Sequence, residues 1–303
     1  MADDGLARPV SFDACYAARR ALVLGGGGVV FVAWLTAYLA ELEREGVAVR
    51  DADLVVGTSA GSVLATVVAH RKLARFESLV RALEHRPGVI GRLAPGTART
   101  HSQERASLLF AGARDHEPAT VQAIGAAALA AATPPAATLP AAVMLMLQAR
   151  QWPGDNLVVS ATDAYSGERL ALGRSSGVPL PRAVAASASV PGLFAPQRVL
   201  DRRAMDGGVS GSGIHADLVA GAERALVLPI VGALDEPRFT IQPDATDREV
   251  AALRASGTEV VVHHSRLPTT SELMNPAQVP AAFALGGEQA REDAPALREF
   301  WRA

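Results

Sequence analysis

The sequence contains very little cysteine, lysine or aromatic character. Its 303 residues include one cysteine, Cys15, which excludes a disulfide framework and zinc or iron–sulfur sites built from cysteines. Basic and acidic residues nearly balance, at 29 against 31, so the basic excess typical of nucleic-acid-binding proteins is missing. Only 5% of the residues are aromatic, but 49% are hydrophobic, which is enough for a large core. We predict one domain over residues 1–303, with no nucleic-acid partner.

Two uncharged runs imitate targeting or membrane segments. The first, residues 21–40, follows the pair Arg19 and Arg20, but it contains four consecutive glycines and continues into an amphipathic stretch. The second, residues 118–149, is alanine-rich and carries a Pro-Pro pair near its centre, which a membrane-spanning helix disfavours. We therefore predict neither a signal peptide nor a transmembrane helix, and we expect a cytoplasmic protein.

Strand-like and helix-like segments alternate along the chain. This alternation favours a three-layer α/β/α fold, in which helices cover both faces of a mainly parallel central sheet. The predicted strands are 20–25, 53–57, 156–162, 168–172, 199–205, 224–231 and 259–263. The predicted helices are 30–46, 59–71, a further one to about 84, 179–188, 215–222, 246–256 and 276–302.

Three segments lie outside this alternation. Residues 1–19 are predicted to be a loose leader, and residues 233–303 a C-terminal extension that completes the fold. Residues 86–150 are predicted to be an insertion, irregular over 86–117 and helical beyond, and insertions of this length over α/β sheets often act as lids. We expect residues 118–149 to cover the active site and to provide peripheral contact with a membrane.

The strongest motif is G-T-S-A-G at residues 57–61, between a predicted strand and a predicted helix. In such a nucleophile elbow the serine, here Ser59, sits on a strained turn that exposes its hydroxyl. Gly57 and Gly61 allow the flanking elements to approach closely. The alternative is an ordinary strand-to-helix turn with an incidental serine as N-cap.

A run of four glycines, residues 25–28, also lies between a strand and a helix. Its exposed N–H groups suit either a phosphate or the oxyanion of an acyl-transfer intermediate. The phosphate-binding patterns fail here, because no lysine follows the run and Val30 and Phe31 stand where a further glycine is needed. We interpret the run as an oxyanion hole, with tight packing alone as the alternative.

An aspartate, Asp206, follows a predicted strand and precedes Gly207 and Gly208. The end of a parallel strand is where α/β sheets place ligands, although an Asp-Gly-Gly sequence is also a common turn. The seven histidines show no metal-ligand spacing, and the neighbours His263 and His264 point to opposite faces of a strand. We expect no metal and no cofactor.

Together and in this order, the glycine run, the G-x-S-x-G motif and the Asp-Gly-Gly motif resemble the patatin-like phospholipase family. Residues 157–163 resemble the family's central strand, and residues 185–196 resemble its A-S-x-x-x-P-x-x-F-x-P block. The resemblance covers residues 21 to about 232, apart from the insertion. It implies a patatin-like α/β fold and a lipid acyl hydrolase whose substrate is a lipid or another acyl ester.

The resemblance also implies a Ser–Asp dyad without histidine, in which Ser59 is the nucleophile and Asp206 its general base. The implied oxyanion donors are the backbone N–H groups of Gly26, Gly27, Gly28 and Ala60. Two departures from the family pattern stand out. Val30 and Phe31 replace a basic residue and a glycine after the glycine run, and residues 210–215 stand where the family has asparagine-proline.

Two other functions remain open at this point. One is a Ser–His–Asp α/β-hydrolase with His263 or His264 as the base, since the chain order Ser, Asp, His agrees with that class. The other is a non-catalytic lipid-binding protein that keeps the fold but has an altered oxyanion loop at Val30 and Phe31.

Overall fold

A computed structural model describes residues 18–93, 95, 97–230, 245–268 and 272–302. Residues 1–17 of the predicted leader lie outside the described residues, as do residues 231–244, which include the start of the predicted C-terminal extension. The strands are β1 (Arg20–Leu24), β2 (Leu54–Thr58), β3 (Leu157–Asp163), β4 (Arg169–Leu172), β5 (Gln197–Val199), β6 (Arg202–Asp206), β7 (Arg224–Leu228) and β8 (Glu259–Val262). The helices are α1 (Gly28–Arg44), α2 (Ala60–Ala69), α3 (Leu73–Leu83), α4 (Pro87–Leu93), α5 (His101–Gly112), α6 (Pro118–Ala130), α7 (Thr138–Leu147), α8 (Leu180–Ser187), α9 (Ala245–Ala255) and α10 (Val279–Arg302).

The strands form one mixed sheet whose centre is parallel. β1 lies between β2 and β7, and β3 and β8 extend the parallel part on either side. β4, β5 and β6 pair in the antiparallel direction at the β3 end. The central strands are continuous apolar runs because helices cover them on both faces, as a parallel sheet requires.

Alternate residues of the strands face two different layers. Leu22 and Leu24 of β1 pack into the larger core, with α1, α2, α7, α8 and α10. Ala21 and Val23 face the other side, where α9 and the 3₁₀ helix Ala216–Val219 cover the sheet. This is the predicted three-layer α/β/α fold with a mainly parallel sheet, and that prediction is confirmed.

The segment 86–150 is more helical than predicted. Its first part, expected to be irregular, contains α4 and α5. The inward face of α5 consists of Gln103, Ala106 and Phe110, so the segment lacks a conspicuous apolar stripe and its helical spacing is easily missed. The second part forms α6 and α7, as predicted, and α7 packs into the larger core.

The described residues after 244 extend the same sheet. β8 pairs with β7 in parallel, and α10 packs lengthwise against α1. The close approach of these helices depends on Gly286, because a Cβ there would lie 2.4 Å from the Trp34 carbonyl oxygen. None of the described helices has the length and apolar character needed to cross a bilayer.

Candidate active site

Ser59 occupies a sharp turn between β2 and α2. Its backbone has φ 51° and ψ −116°, in a region that non-glycine residues rarely adopt. The turn is closed so tightly that a Cβ on Gly57 would lie 2.5 Å from the Gly61 carbonyl oxygen. A Cβ on Gly61 would lie 2.0 Å from the carbonyl oxygen of Leu24. Both glycines of the motif are therefore required by the space available.

The pairing of β3 brings Asp206 beside this serine. Thr58, which precedes Ser59, pairs with Ser160 on β3, and Asp206 pairs with the next residue, Ala161. Since β4 occupies the other edge of β3 at residues 159–162, β2 and β6 must share one edge, one after the other. The end of β2 and the end of β6 therefore meet at the same point of the sheet.

The turn after β6 fixes the Asp206 carboxyl group. Asp206 donates its N–H to the carbonyl oxygen of Ser189 at 3.0 Å, and its Oδ1 accepts the N–H of Gly208 at 2.8 Å. Gly207 lies against β3, where a Cβ would meet Ser160 Oγ at 2.5 Å. Oδ2 is buried and has no partner in hydrogen-bond geometry among the described residues. Oδ2 is therefore the carboxyl oxygen that is free to accept a proton.

Burial raises the pKa of Asp206 to about 7, while the Gly208 N–H and the nearby Ser59 hydroxyl lower it in part. The serine hydroxyl is thus close enough to act on the carboxyl group, although no bond between the two side chains reaches hydrogen-bond geometry at Oδ2. Catalytic hydrogen bonds are often long in ligand-free enzymes. A carboxylate with a pKa near neutrality is a far better base than an exposed one.

The glycine run lies beside Ser59. A Cβ on Gly26 would lie 3.3 Å from Ser59 Cβ, and the Gly25 carbonyl oxygen accepts the Gly61 N–H at 3.0 Å, which ties the run to the elbow. Four backbone N–H groups near the serine have no hydrogen-bond acceptor among the described residues. They belong to Gly26, Gly27, Gly28 and Ala60. These are the donors implied by the resemblance.

The two unusual residues after the run, Val30 and Phe31, are buried in the larger core. Phe31 is fully buried and stacks on Trp34, with ring centroids 5.4 Å apart. It also makes glycine necessary at position 27, where a Cβ would lie 2.6 Å from Phe31 Cβ. The N–H of Val30 binds the Leu273 carbonyl oxygen at 3.0 Å. The substitutions therefore repack the base of α1 and leave the loop donors free.

The serine hydroxyl opens into a cavity of about 300 Å³. This volume is at the low end for small-molecule sites. Ser59, Asp206 and the last three glycines of the run, residues 26–28, line the cavity. Its walls are mostly apolar, and the described residues that form them include Leu108, Phe110, Val190, Leu193, Ile230 and Leu273. Such a cavity suits an extended hydrocarbon chain.

The cover of this cavity differs from the prediction. From the segment 86–150, the described lining residues are Ala98 and five residues of α5, and none lies within 118–149. α5 is anchored by Gln103 Nε2, which donates to the Gly192 carbonyl oxygen at 3.0 Å. Residues 118–149 instead pack beside α5 and against the core.

Two residues from the block 185–196 support the site, although sequence reasoning gave them no role. Ser187 Oγ accepts the Ser59 N–H at 2.8 Å, and the Ser189 carbonyl oxygen accepts the Asp206 N–H. The block therefore holds both candidate catalytic residues through their backbones. The match of residues 185–196 to a block of the family pattern was the sequence signal that could have indicated this supporting role.

None of the histidines in the described residues lines the cavity. His263, the base of the alternative triad, lies beside α1 and α10, with its Nδ1 2.8 Å from both Tyr38 Oη and Asp293 Oδ2. The geometry therefore brings no His263 or His264 imidazole to Ser59. The histidine nearest the Asp-Gly-Gly turn is His215, which sequence reasoning did not select.

One cluster has the composition of a cation site. Ligand atoms of His215, Asp217 and Glu249 lie within 4.8 Å of one another. Arg169 Nη1 already lies 2.7 Å from Asp217 Oδ1 and 3.5 Å from His215 Nδ1. Because a guanidinium fills the position that a cation would take, these residues do not fit a metal ion.

Comparison with known proteins agrees with the motifs. The sequence model of the patatin-like phospholipase family matches residues 22–219. The solved structures that a comparison found include VipD from Legionella pneumophila, with a TM-score of 0.46 and 12% identity over 92% of this chain and 67% of that protein. They also include the type III effector protein ExoU, with a TM-score of 0.39 and 16% identity over 93% of this chain and 54% of that protein. Comparison with curated protein sequences found no match. The family match spans more than half of the chain, and this protein belongs to the patatin-like phospholipase family, whose members are lipid acyl hydrolases.

Proposed function

We propose that this protein is a serine hydrolase that cleaves lipid acyl esters through a Ser59–Asp206 dyad. The observation that carries the proposal is the free, buried Oδ2 of Asp206 at the point of the sheet where Ser59 is exposed to an apolar cavity. The raised pKa of Asp206 suits a general base, and no described histidine competes for that role.

The first half of the reaction forms an acyl-enzyme. Ser59 Oγ attacks the ester carbonyl carbon and gives its proton to Asp206 Oδ2. The negative charge that develops on the carbonyl oxygen is stabilised by the N–H groups of Gly26, Gly27, Gly28 and Ala60, aided by the positive end of α2. As the intermediate collapses, the carbon–oxygen bond to the alcohol breaks and Asp206 returns the proton to the leaving oxygen.

The second half releases the acyl chain. A water molecule attacks the acyl carbonyl carbon while Asp206 takes one of its protons. The same backbone donors stabilise the second oxyanion. Collapse then breaks the bond to Ser59 Oγ, which recovers its proton from Asp206, and a fatty acid leaves. The dyad is unchanged at the end of the cycle.

A fluorophosphonate probe tests the nucleophile directly, because it reacts with an activated serine without needing the right lipid. We expect labelling at Ser59, mapped by mass spectrometry, and its loss in Ser59→Ala. Ser62→Ala is the matched control, because Ser62 is one turn further along α2 and its hydroxyl donates to the Ser59 carbonyl oxygen. Undiminished labelling of a folded Ser59→Ala variant contradicts the assignment.

We further propose that the substrate enters from a lipid surface over the rim formed by α5. Leu108 lines the cavity and is nevertheless 65% exposed, and its neighbour Leu109 is 38% exposed. The segment 118–149 also exposes Met144 and Leu145, on α7, but neither of them borders the cavity. A rim that is continuous with the acyl cavity is the shorter route for a chain that leaves a bilayer or micelle.

A further inference from the structure

A fully buried histidine stands behind the Asp-Gly-Gly turn. His215 Nε2 lies 2.8 Å from the carbonyl oxygen of Gly207, the residue that directly follows Asp206. A carbonyl oxygen can only accept a hydrogen bond, so Nε2 carries a proton and donates it. The imidazole therefore holds the backbone of the turn next to the candidate base.

The opposite side of the ring fixes its protonation state. Nδ1 faces Arg169 Nη1 at 3.5 Å, and a guanidinium can only donate, so Nδ1 is unprotonated. Burial, reinforced by the Arg169 charge, lowers the pKa of His215 to about 4. At neutral pH the side chain is a neutral imidazole in one tautomer, with a fixed direction of donation.

Charged side chains surround His215, and they bind to one another or to the backbone. Arg169 of β4 is paired with Asp217 of the 3₁₀ helix, and Glu249 of α9 accepts the Ala216 N–H at 2.8 Å. His116, which precedes α6, is the remaining titratable group that influences the ring. His215 itself is held by its N–H, which donates to Ser212 Oγ at 3.1 Å.

We propose that His215 is a positioning residue for Asp206, because it fixes the turn whose geometry leaves one carboxyl oxygen free and directed at Ser59. The proposal rests on the proposed function. Besides the 3₁₀ helix Gly207–Val209 itself, three contacts hold the turn: Asp206 N–H to Ser189, Asp206 Oδ1 to the Gly208 N–H, and the Gly207 carbonyl oxygen to His215. His215 provides the side-chain contact that restrains the Gly207 carbonyl.

Loss of this contact has two expected consequences. The Gly207 carbonyl would lose its buried side-chain hydrogen bond, and the loop 207–215, which contributes Gly208, Ser212, Gly213 and Ile214 to the cavity wall, would loosen. Water would then reach Asp206, whose carboxyl pKa would fall toward its ordinary value near 4. The base would be both misaligned and weaker, which a purely structural role for His215 would not produce.

The experiment compares His215→Leu with His215→Gln in the full chain, on a soluble p-nitrophenyl ester across a range of pH. Leucine cannot donate, whereas the glutamine amide reaches about as far as Nε2 and can. For the leucine variant we expect a loss of about 10- to 100-fold in kcat, the size of a small misplacement of a catalytic group, with KM nearly unchanged. We expect the apparent pKa of the rising limb to fall by about one unit or more, and glutamine to restore most of both.

The controls separate positioning from general damage. His70→Leu removes another histidine that contacts carbonyl oxygens, those of Thr66 and Gln151, away from the cavity, and we expect it to leave the pH profile unchanged. If the leucine variant does not fold, His215→Asn replaces it, because its shorter amide does not reach Gly207. The proposal is overturned if the folded non-donating variant keeps the wild-type pH profile, or if glutamine is as impaired as leucine. Failure of the proposed function is distinguishable, since the wild-type protein would then itself lack probe labelling and ester hydrolysis.

Discussion

The two carboxyl oxygens of Asp206 have different tasks. Oδ1 is committed to the Gly208 N–H, while Oδ2 is buried without a partner, a costly arrangement that a structural aspartate avoids. The same burial that leaves Oδ2 unpaired raises the pKa of the carboxyl group. In the proposed mechanism this burial makes Asp206 a stronger base and makes the fold less stable, and one variant allows both effects to be measured.

Asp206→Asn should abolish ester hydrolysis, because asparagine cannot accept the serine proton. We expect a loss of about 10²- to 10⁴-fold in kcat, the usual contribution of a general base. His263→Ala and His264→Ala should each keep most of the activity, since neither residue lines the cavity. A loss of about 10³-fold or more at either histidine in a folded protein would instead support a Ser–His–Asp triad.

The same variant should be more stable than the wild type above neutral pH. The pKa of Asp206 rises from 3.8 to about 7 on folding, so its contribution to stability is fully present below about pH 4 and is lost as the pH rises to about 7. Above that pH the buried charge costs on the order of 4 kcal/mol, which Asp206→Asn avoids. Urea unfolding at about pH 5 and pH 8 should show the advantage of the variant growing with pH. Ser59→Ala keeps the Asp206 carboxyl group and removes a hydroxyl that lowers its pKa, so its loss of stability with rising pH should be at least as large as that of the wild type. An advantage of Asp206→Asn that is equal at both pH values would refute the argument.

At the level of secondary-structure elements, α5 is the part of the site that sequence reasoning missed. Its N-terminus was marked by Thr100, whose side chain accepts the Gln103 N–H, a capping pattern visible in the sequence. The sequence instead predicts a lid at residues 118–149, because this long uncharged run is hydrophobic. In the structure that run supplies core contacts through Leu139, Val143 and Leu147. Hydrophobicity alone does not distinguish a helix that covers a site from one that supports it.

The rim of α5 can be tested with paired polar substitutions. Leu108→Ser with Leu109→Ser should lower hydrolysis of phospholipid vesicles by about 10-fold and weaken vesicle binding, because two exposed apolar side chains are lost. Hydrolysis of a short soluble ester should stay within about 3-fold of the wild type.

Met144→Ser with Leu145→Ser on α7 is the matched control, because these side chains have similar exposure, 38% and 64%, without bordering the cavity. Selective loss of vesicle hydrolysis in the α7 variant would assign the lipid surface to residues 118–149. Unchanged vesicle hydrolysis in both double variants would contradict a lipid-facing surface on either helix.

At the scale of the whole molecule, the alternation of apolar strands and helices was sufficient to predict the α/β/α fold. The predicted strands agree with the structure to within a few residues, apart from β5. Short apolar runs bounded by turn residues are typical of buried strands, which explains the agreement. That Ser59 and Asp206 lie close together could be predicted only from the family resemblance, because 146 residues lie between them in the sequence. Their contact depends on β3 pairing with two strands along one edge, which no local pattern encodes.

The last prediction concerns how the C-terminal helix is held to the rest of the fold. Asp293 on α10 accepts a hydrogen bond from Tyr38 Oη of α1 at 2.8 Å and contacts His263, directly after β8, at the same distance. Asp293→Ala would leave the buried Tyr38 hydroxyl without its carboxylate partner, and we expect the free energy of unfolding to fall by about 1–3 kcal/mol. Activity per folded molecule should be unchanged, because none of these residues lines the cavity.

Glu292→Ala is the matched control for Asp293→Ala, because it removes the carboxylate of the neighbouring residue. The Glu292 side chain is 61% exposed and forms an ion pair with the similarly exposed Arg266. Such a surface ion pair contributes less than about 1 kcal/mol to stability. Burial raises the pKa of Asp293, but hydrogen bonds from His263 and Tyr38 outweigh it and hold the pKa below its usual value. The contribution of Asp293 is therefore present above about pH 4 and is lost as the pH falls further, so the gap between the wild type and Asp293→Ala should narrow in acid. Equal unfolding midpoints for the two variants in urea would show that this cluster does not hold α10 in place.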